Sequence, residues 1–317
     1  MYYIGVDLGG TNIAAGLVND RAELIAKASV PTGADRAPEK IIRDMGSLCL
    51  SLIKKQNLQC ADIAYLGIAT PGIADCDSGY VEYANNLPFR HFPIAQELQR
   101  ILPVPRVYIE NDANAAAKGE AVAGSAKGYA NSVMITLGTG VGGGIIIDHK
   151  VYSGFNHAGA ELGHMVIEHG GVLCSCGRRG CWEAYSSATA LIRMTKEKLA
   201  AVGRSSLMYE MTEGDSSKVS GKTAFAAARE GDAAGQAVVD LYISYLATGI
   251  SNIINIFQPQ ILSIGGGISN ERDNLLIPLR ALVDREQYTR DLENRTDLRI
   301  AALRNDAGII GAAVLGM

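Results

Sequence analysis

Short apolar runs separated by turn residues set the rhythm of the first thirty positions. Residues 2–8 form one run, Gly9-Gly10 a turn, and residues 12–18 a second run. Asn19-Asp20 then turns the chain into a third run, about 23–30. Tight turns between such runs predict hairpins. A helix is predicted over about 35–57. Pro38 lies near its first turn, and Ile41, Ile42, Met45, Leu48, Leu52 and Ile53 recur at helical spacing. Residues 63–70 read as a strand ending at Pro71-Gly72, and 106–110 as another, followed by an alanine-rich helix over about 112–123.

The opening pattern then recurs. Residues 132–137 are an apolar strand, the stretch from Gly138 to Gly144 a glycine turn, and 145–148 a strand. Strand, glycine turn, strand therefore appears twice, which predicts two related halves. A long helix over about 232–257 is stopped by Gln258-Pro259, and a strand at 261–264 meets Gly265-Gly266-Gly267. A last strand near 298–303 leads into a short helix from Asp306. Alternating strands and helices give an α/β class.

Composition sharpens this in one respect. Glycine fills 36 of 317 positions, where average usage would give roughly 22. The net charge is −4 without a long Lys/Arg cluster, so no nucleic-acid partner is expected. The start meets a carboxylate at Asp7 without a basic region, so no signal peptide is expected. The longest apolar stretch noted, 133–147, is broken by five glycines, Thr136 and Thr139, so no membrane span is expected. Three cysteines are scattered (Cys49, Cys60, Cys76) and three clustered (Cys174, Cys176, Cys181). In a chain this long that suits a reducing cytoplasm. Length alone suggests two domains.

Glycine turns after buried strands let backbone N–H groups approach a phosphate closely. Three exist here, and none has P-loop or dinucleotide-fold spacing. Each alone could be a plain turn. Asp7 adds weight to the first, since a carboxylate in an apolar strand must be paired, bind a metal, or bond the turn's amides. Glu110-Asn111-Asp112 lies where a strand passes into a helix: an ordinary N-cap, or a carboxylate at the strand end where α/β folds bind ligands. His164 with Cys174, Cys176 and Cys181 makes a four-ligand set typical of structural zinc, against free buried thiols.

Taken together, these motifs resemble the sugar kinase/actin/heat-shock-protein ATPase fold, and within it the ROK family (repressor, open reading frame, kinase). Asp7-Leu8-Gly9-Gly10-Thr11 resembles the first phosphate loop. The run Leu137 to Gly144 resembles the second, and Gly265-Gly266-Gly267-Ile268 the adenosine-contacting turn. The zinc cluster resembles the ROK signature most specifically. The resemblance implies two actin-like, ribonuclease H-like domains with a nucleotide and sugar cleft between them. They would span 1–112 with a return helix at about 306–317, and 113–305. It further implies ATP with Mg²⁺ at Asp7, Gly9, Gly10, Thr11, Asn12, Gly138, Thr139, Gly140, Gly266 and Gly267. Asp112 would be the catalytic base. Gly72, Asn111, Glu161, His164 and Glu183 would bind the sugar beside it, and one structural Zn²⁺ would sit on His164, Cys174, Cys176 and Cys181.

By the same resemblance the activity is ATP-dependent phosphorylation of a hexose, glucose first, with N-acetylmannosamine, N-acetylglucosamine or fructose as alternatives. Relatives are often homodimers or larger homo-oligomers. His157, the order Gly159-Ala160 and Phe89 depart from the usual pattern, which leaves sugar identity less defined than phosphoryl transfer. A sugar-responsive repressor of this family would carry a helix-turn-helix before the first phosphate loop. Only six residues precede Asp7 here, which disfavours that reading. A zinc-stabilised binding module would leave Asp7, Asp112 and both loops unexplained.

Overall fold

The computed structural model describes all of residues 1–317. Three strands open it: β1 (Tyr2–Leu8), β2 (Asn12–Asn19) and β3 (Leu24–Pro31). Helix α1 (Pro38–Lys55) and β4 (Ile63–Thr70) follow. Short strands β5 (Ile73–Asp75), β6 (Tyr80–Tyr83) and β7 (Arg90–Phe92) form their own antiparallel sheet. Next come α2 (Ile94–Ile101), β8 (Val107–Asn111) and α3 (Asp112–Ala123). Strands β9 (Ser132–Leu137), β10 (Val141–Ile147) and β11 (Lys150–Val151) repeat the opening. Helices α4 (Glu183–Ser186), α5 (Ala188–Val202), α6 (Leu207–Met211), α7 (Thr223–Arg229) and α8 (Ala233–Phe257) precede β12 (Ile261–Gly265). The chain ends through α9 (Asp273–Glu286), β13 (Asp297–Ile300) and α10 (Ala307–Ala313).

The repeat expected from the sequence is visible in the topology. One five-stranded sheet has the order β3-β2-β1-β4-β8 and the other β11-β10-β9-β12-β13. In each, two strands of the opening hairpins lie on one side of the first strand and two later strands on the other. One expectation needs correction. The second glycine run is not a turn throughout, because β10 already begins at Val141. Glycine is disfavoured in strands, but a Cβ on Gly144 would fall 2.6 Å from the Ala113 carbonyl oxygen, so no side chain fits there.

Contacts divide the chain into two compact units. The first comprises Met1–Met134, Gly144–Ala160 and Ala301–Met317; the second comprises Ile135–Gly143 and Glu161–Ile300. The first unit thus runs on past residue 112 through α3, and it also takes in β11.

In the first unit β1 and β4 pair in parallel, as do β4 and β8. Helix α1 buries Ile41, Ile42, Met45, Leu48, Leu52 and Ile53, the stripe predicted from sequence, in one core with Ile4, Val6, Leu8 and Leu66. Helix α10 also packs on this sheet, and glycine makes that approach possible. A Cβ on Gly5 would lie 1.8 Å from the Ile309 carbonyl oxygen, and one on Gly67 would lie 1.9 Å from that of Ala312. Backbone cannot yield as a side chain can. Gly67→Ala is therefore expected to destabilise the protein by about 1–3 kcal/mol or more. The urea midpoint measures this, and an unchanged midpoint would contradict the packing described.

In the second unit α8 carries the core, burying Val238, Val239, Tyr242, Ile243, Leu246, Ile250, Ile253 and Ile254. It is also the one helix long and apolar enough to cross a membrane, which the reading of 133–147 as the longest apolar stretch overlooked. Of its apolar window 61% is buried inside the protein, the pattern of a core helix.

Candidate functional site

The parallel register sets the first cluster. Asp7 lies opposite Ala69, and Ala69 opposite Glu110, so Asn111 and Asp112 follow at the carboxyl edge of the same sheet. That edge is where open α/β sheets bind ligands. Burial pushes the Asp7 carboxyl up to about 6, and the charge of Asp112 adds to the rise. Asp7 is close-packed as well: a Cβ on Gly308 at the start of α10 would fall 2.5 Å from its carboxylate.

The first glycine turn is held from both sides. Gly9 N–H donates to the Asn12 carbonyl at 3.0 Å. Buried Thr32 donates its hydroxyl to the Gly9 carbonyl at 2.6 Å and its N–H to that of Thr11 at 2.9 Å. Gly10, Thr11 and Asn12 remain exposed. The loop's own polar groups are thus fixed by a residue that sequence reasoning missed.

Asn111 caps a helix with one end of its side chain and reaches a distant loop with the other. Its side-chain oxygen accepts from Ala113 N–H at 3.0 Å and Asn114 N–H at 3.2 Å, the N-cap of α3. Its amide nitrogen donates to the Gly72 carbonyl at 3.0 Å. Asp112, the first residue of α3, is exposed beside this cap. Gly72 has φ +87° and is pressed against the Tyr83 carbonyl, where only glycine fits. Buried Glu110 completes the frame. It accepts from Asn111 N–H at 2.9 Å, from the Asn114 amide at 3.1 Å and from the Cys76 thiol at 3.2 Å. No sequence signal singled out Glu110, since one of its partners, Cys76, comes from a distant loop.

In the second unit Gly138 and Thr139 are clipped to the start of α5. The Gly138 carbonyl accepts from Ala188 N–H at 2.8 Å and that of Thr139 from the Thr189 hydroxyl at 2.8 Å. Around Gly138 and Gly267 there is open space. Gly266 (φ +82°) sits hard against the Leu137 backbone, which joins the third glycine turn to the end of β9.

The four residues expected to bind zinc converge. One ligand atom from each of His164, Cys174, Cys176 and Cys181 lies within 4.8 Å of the others. His164 Nδ1 is 3.7 Å from Cys174 Sγ, and Cys176 Sγ is 3.7 Å from Cys181 Sγ. Tetrahedral ligands on bonds of about 2.3 Å stand roughly 3.8 Å apart, so the set fits zinc. Burial pushes the Cys181 thiol up to about 12, whereas the Arg178 backbone amide lowers that of Cys176. The loop is built for this: Cys174 N–H donates to the Arg178 carbonyl at 2.8 Å, and Gly177 (φ +87°) makes the turn. Trp182, fully buried, seats it on α8 by donating to the Tyr245 carbonyl at 3.0 Å.

Two expected sugar ligands adjoin this cluster. Glu161 is exposed, with a carboxylate oxygen 4.0 Å from His164 Nε2. Nδ1 thus faces the thiols and Nε2 the carboxylate, which gives the two nitrogens separate roles. Glu183 is tied differently. It accepts from Val141 N–H at 2.9 Å and from the Ser175 hydroxyl at 3.0 Å, bridging the second glycine loop to the cysteine loop.

The comparisons with known proteins cover nearly the whole chain. Residues 3–317 match the model of the ROK family. The chain is 37% identical to the glucokinase of Thermotoga maritima over 311 residues, 98% of this chain and 95% of that one. It is 30% identical to the xylose repressor of Bacillus subtilis, spanning 98% of this chain and 75% of the repressor. The structure of a ROK family glucokinase from Streptomyces griseus, in complex with glucose and AMPPNP, matches with a TM-score of 0.83. Its sequence is 32% identical, and the match covers 99% of both chains.

Proposed function

The chain belongs to the ROK family and has its actin-like fold, and we propose that it is an ATP-dependent sugar kinase converting glucose to glucose 6-phosphate. The observation that carries this is the pair Asp7 and Asp112. Two carboxylates share the carboxyl edge of one sheet and interact electrically.

Asp112 is the general base. It takes the proton of the sugar hydroxyl as that oxygen bonds to the γ-phosphorus and the bond to the bridging oxygen of ADP breaks. Asn111, fixed by the α3 cap and Gly72, bonds the sugar beside it. Gly72, Glu161, His164 and Glu183 bind the other hydroxyls. Buried or tethered groups of this kind discriminate because a missing hydroxyl leaves them unpaired. Asp7, Gly9, Gly10, Thr11 and Asn12 face the phosphates, as do Gly138, Thr139 and Gly140. Gly266 and Gly267 take the adenosine. Asp7 would hold Mg²⁺, which would supply charge neutralisation at the phosphates. Zinc on His164, Cys174, Cys176 and Cys181 fixes the loop that carries the sugar contacts. By family resemblance we place the enzyme in the cytoplasm as a homodimer or larger homo-oligomer.

Likeness to glucokinases at 34–37% identity and to the glucose complex supports glucose over N-acetylmannosamine, N-acetylglucosamine or fructose. Likeness to xylose repressors favours a second reading, sugar sensing without chemistry. A coupled ADP-release assay over a hexose panel separates the two. Glucose is expected to give a kcat/KM at least about 10-fold above the N-acetylhexosamines, as expected of a site that hydrogen-bonds hydroxyls. Absence of turnover with every sugar would leave only the sensor reading.

A further inference from the structure

Residues 153–160 form a closed loop that leads into Glu161. Gly159 N–H donates to the Ser153 carbonyl at 2.8 Å, closing its neck. At its tip Phe155 is 99% exposed, so the loop makes no hydrophobic anchor of its own. Its one ionisable side chain is His157, and His157 has φ +59°, a conformation that suits glycine. Such a backbone persists where surrounding contacts hold it.

The holding contacts are carboxylates. His157 Nε2 lies 3.0 Å from Asp75 Oδ1 and 3.6 Å from Asp77 Oδ2. The pair is mostly shielded, with side-chain exposures of 20% for His157 and 25% for Asp75, whereas Asp77 is 93% exposed. Asp75 is itself fixed by the Ser78 hydroxyl at 2.6 Å and by the N–H groups of Asp77 and Ser78. Those hydrogen bonds, that of the Ser78 hydroxyl first, with the His157 charge adding, hold its carboxyl below the usual range. Asp75 ends β5, which starts directly after Gly72.

We propose that His157 is a positioning residue: its hydrogen bond with Asp75 clasps the hexose loop to the β5 turn. The inference rests on the hexose reading only for its kinetic consequence. The ionisable groups facing His157 are Asp75 and Asp77, and loop 153–160 contributes no other. An Nε2–H donates to Asp75 whether or not the ring is charged, so the clasp holds as a hydrogen bond in both states.

Chymotrypsin cleavage after Phe155 in the full-length protein reads the clasp without any turnover. Compared at the same pH, His157→Asn and Asp75→Asn are expected to be nicked about two- to five-fold faster than wild type at pH 6, the range of a partly exposed pair. Asparagine tolerates positive φ, so His157→Asn removes the imidazole without straining the turn. The double variant should match either single one, and Asp77→Asn should change little. His157→Asn should also raise the hexose KM above that of wild type and leave the ATP KM unchanged. Equal nicking of wild type and both single variants at pH 6 would overturn the clasp. Differential nicking without hexose turnover would sink only the kinase reading.

Discussion

Asp112→Asn is expected to lower kcat for hexose phosphorylation by about 10²–10⁴-fold, the usual contribution of a positioned general base. That corresponds to roughly 3–5 kcal/mol of transition-state stabilisation. Asparagine has the same shape, and its side-chain oxygen can still accept a hydrogen bond from the sugar. It cannot take the proton. The loss should therefore fall on kcat, with the hexose KM changed only a few-fold. Folding should survive, because the α3 cap is made by Asn111 and not by Asp112. A second effect tests the geometry. The charge of Asp112 is one of the two causes that raise Asp7, after burial. Removing it should move the titration of Asp7 downward from about 6, towards but not reaching an ordinary carboxylate, because burial remains. Steady-state kinetics with a thermal unfolding control decides the matter. Wild-type kcat in a folded Asp112→Asn protein would exclude this residue as the base.

Much of this was legible because it is local. Glycine turns, the Asn111 cap and the His–Cys spacing each declare themselves within a few residues. The cap made by Asn111 follows from local sequence, whereas its bond to Gly72 spans 39 residues. What stayed hidden depends on partners far along the chain. Gly5 and Gly67 look like background glycine until α10 arrives from the other terminus. Glu110 looks like any strand residue until Cys76 and Asn114 meet its two oxygens. The glycine run after Gly140 reads as a turn because glycine weakens strands. Only the close approach of α3 explains a strand there. His157 showed as a departure from pattern, but its reason, Asp75, lies on another element.

Cys181→Ser is expected to weaken zinc binding by more than about 100-fold, since even outer-sphere partners of a metal account for about 10–100-fold. Cys181 is the informative ligand because it is fully buried and directly precedes Trp182 and Glu183. Trp182 seats the loop on α8, and Glu183 reaches the second glycine loop through Val141. Loss of the metal should therefore spread in two directions. The hexose KM should rise more than about 10-fold as the loop carrying Glu161 and Glu183 loosens, and the thermal midpoint should fall because metal binding is coupled to folding. Cys60→Ser, outside the cluster and only half-buried, serves as the control and should keep the metal. Elemental analysis after dialysis against a mild chelator gives the stoichiometry directly. About one zinc per chain in wild type and Cys60→Ser, and far less in Cys181→Ser, is the expected result. Folded wild-type protein with well under one zinc per chain would refute the ligand set. Three cysteines and a histidine at tetrahedral spacing would then be only a thiol cluster that packs α4 against α8.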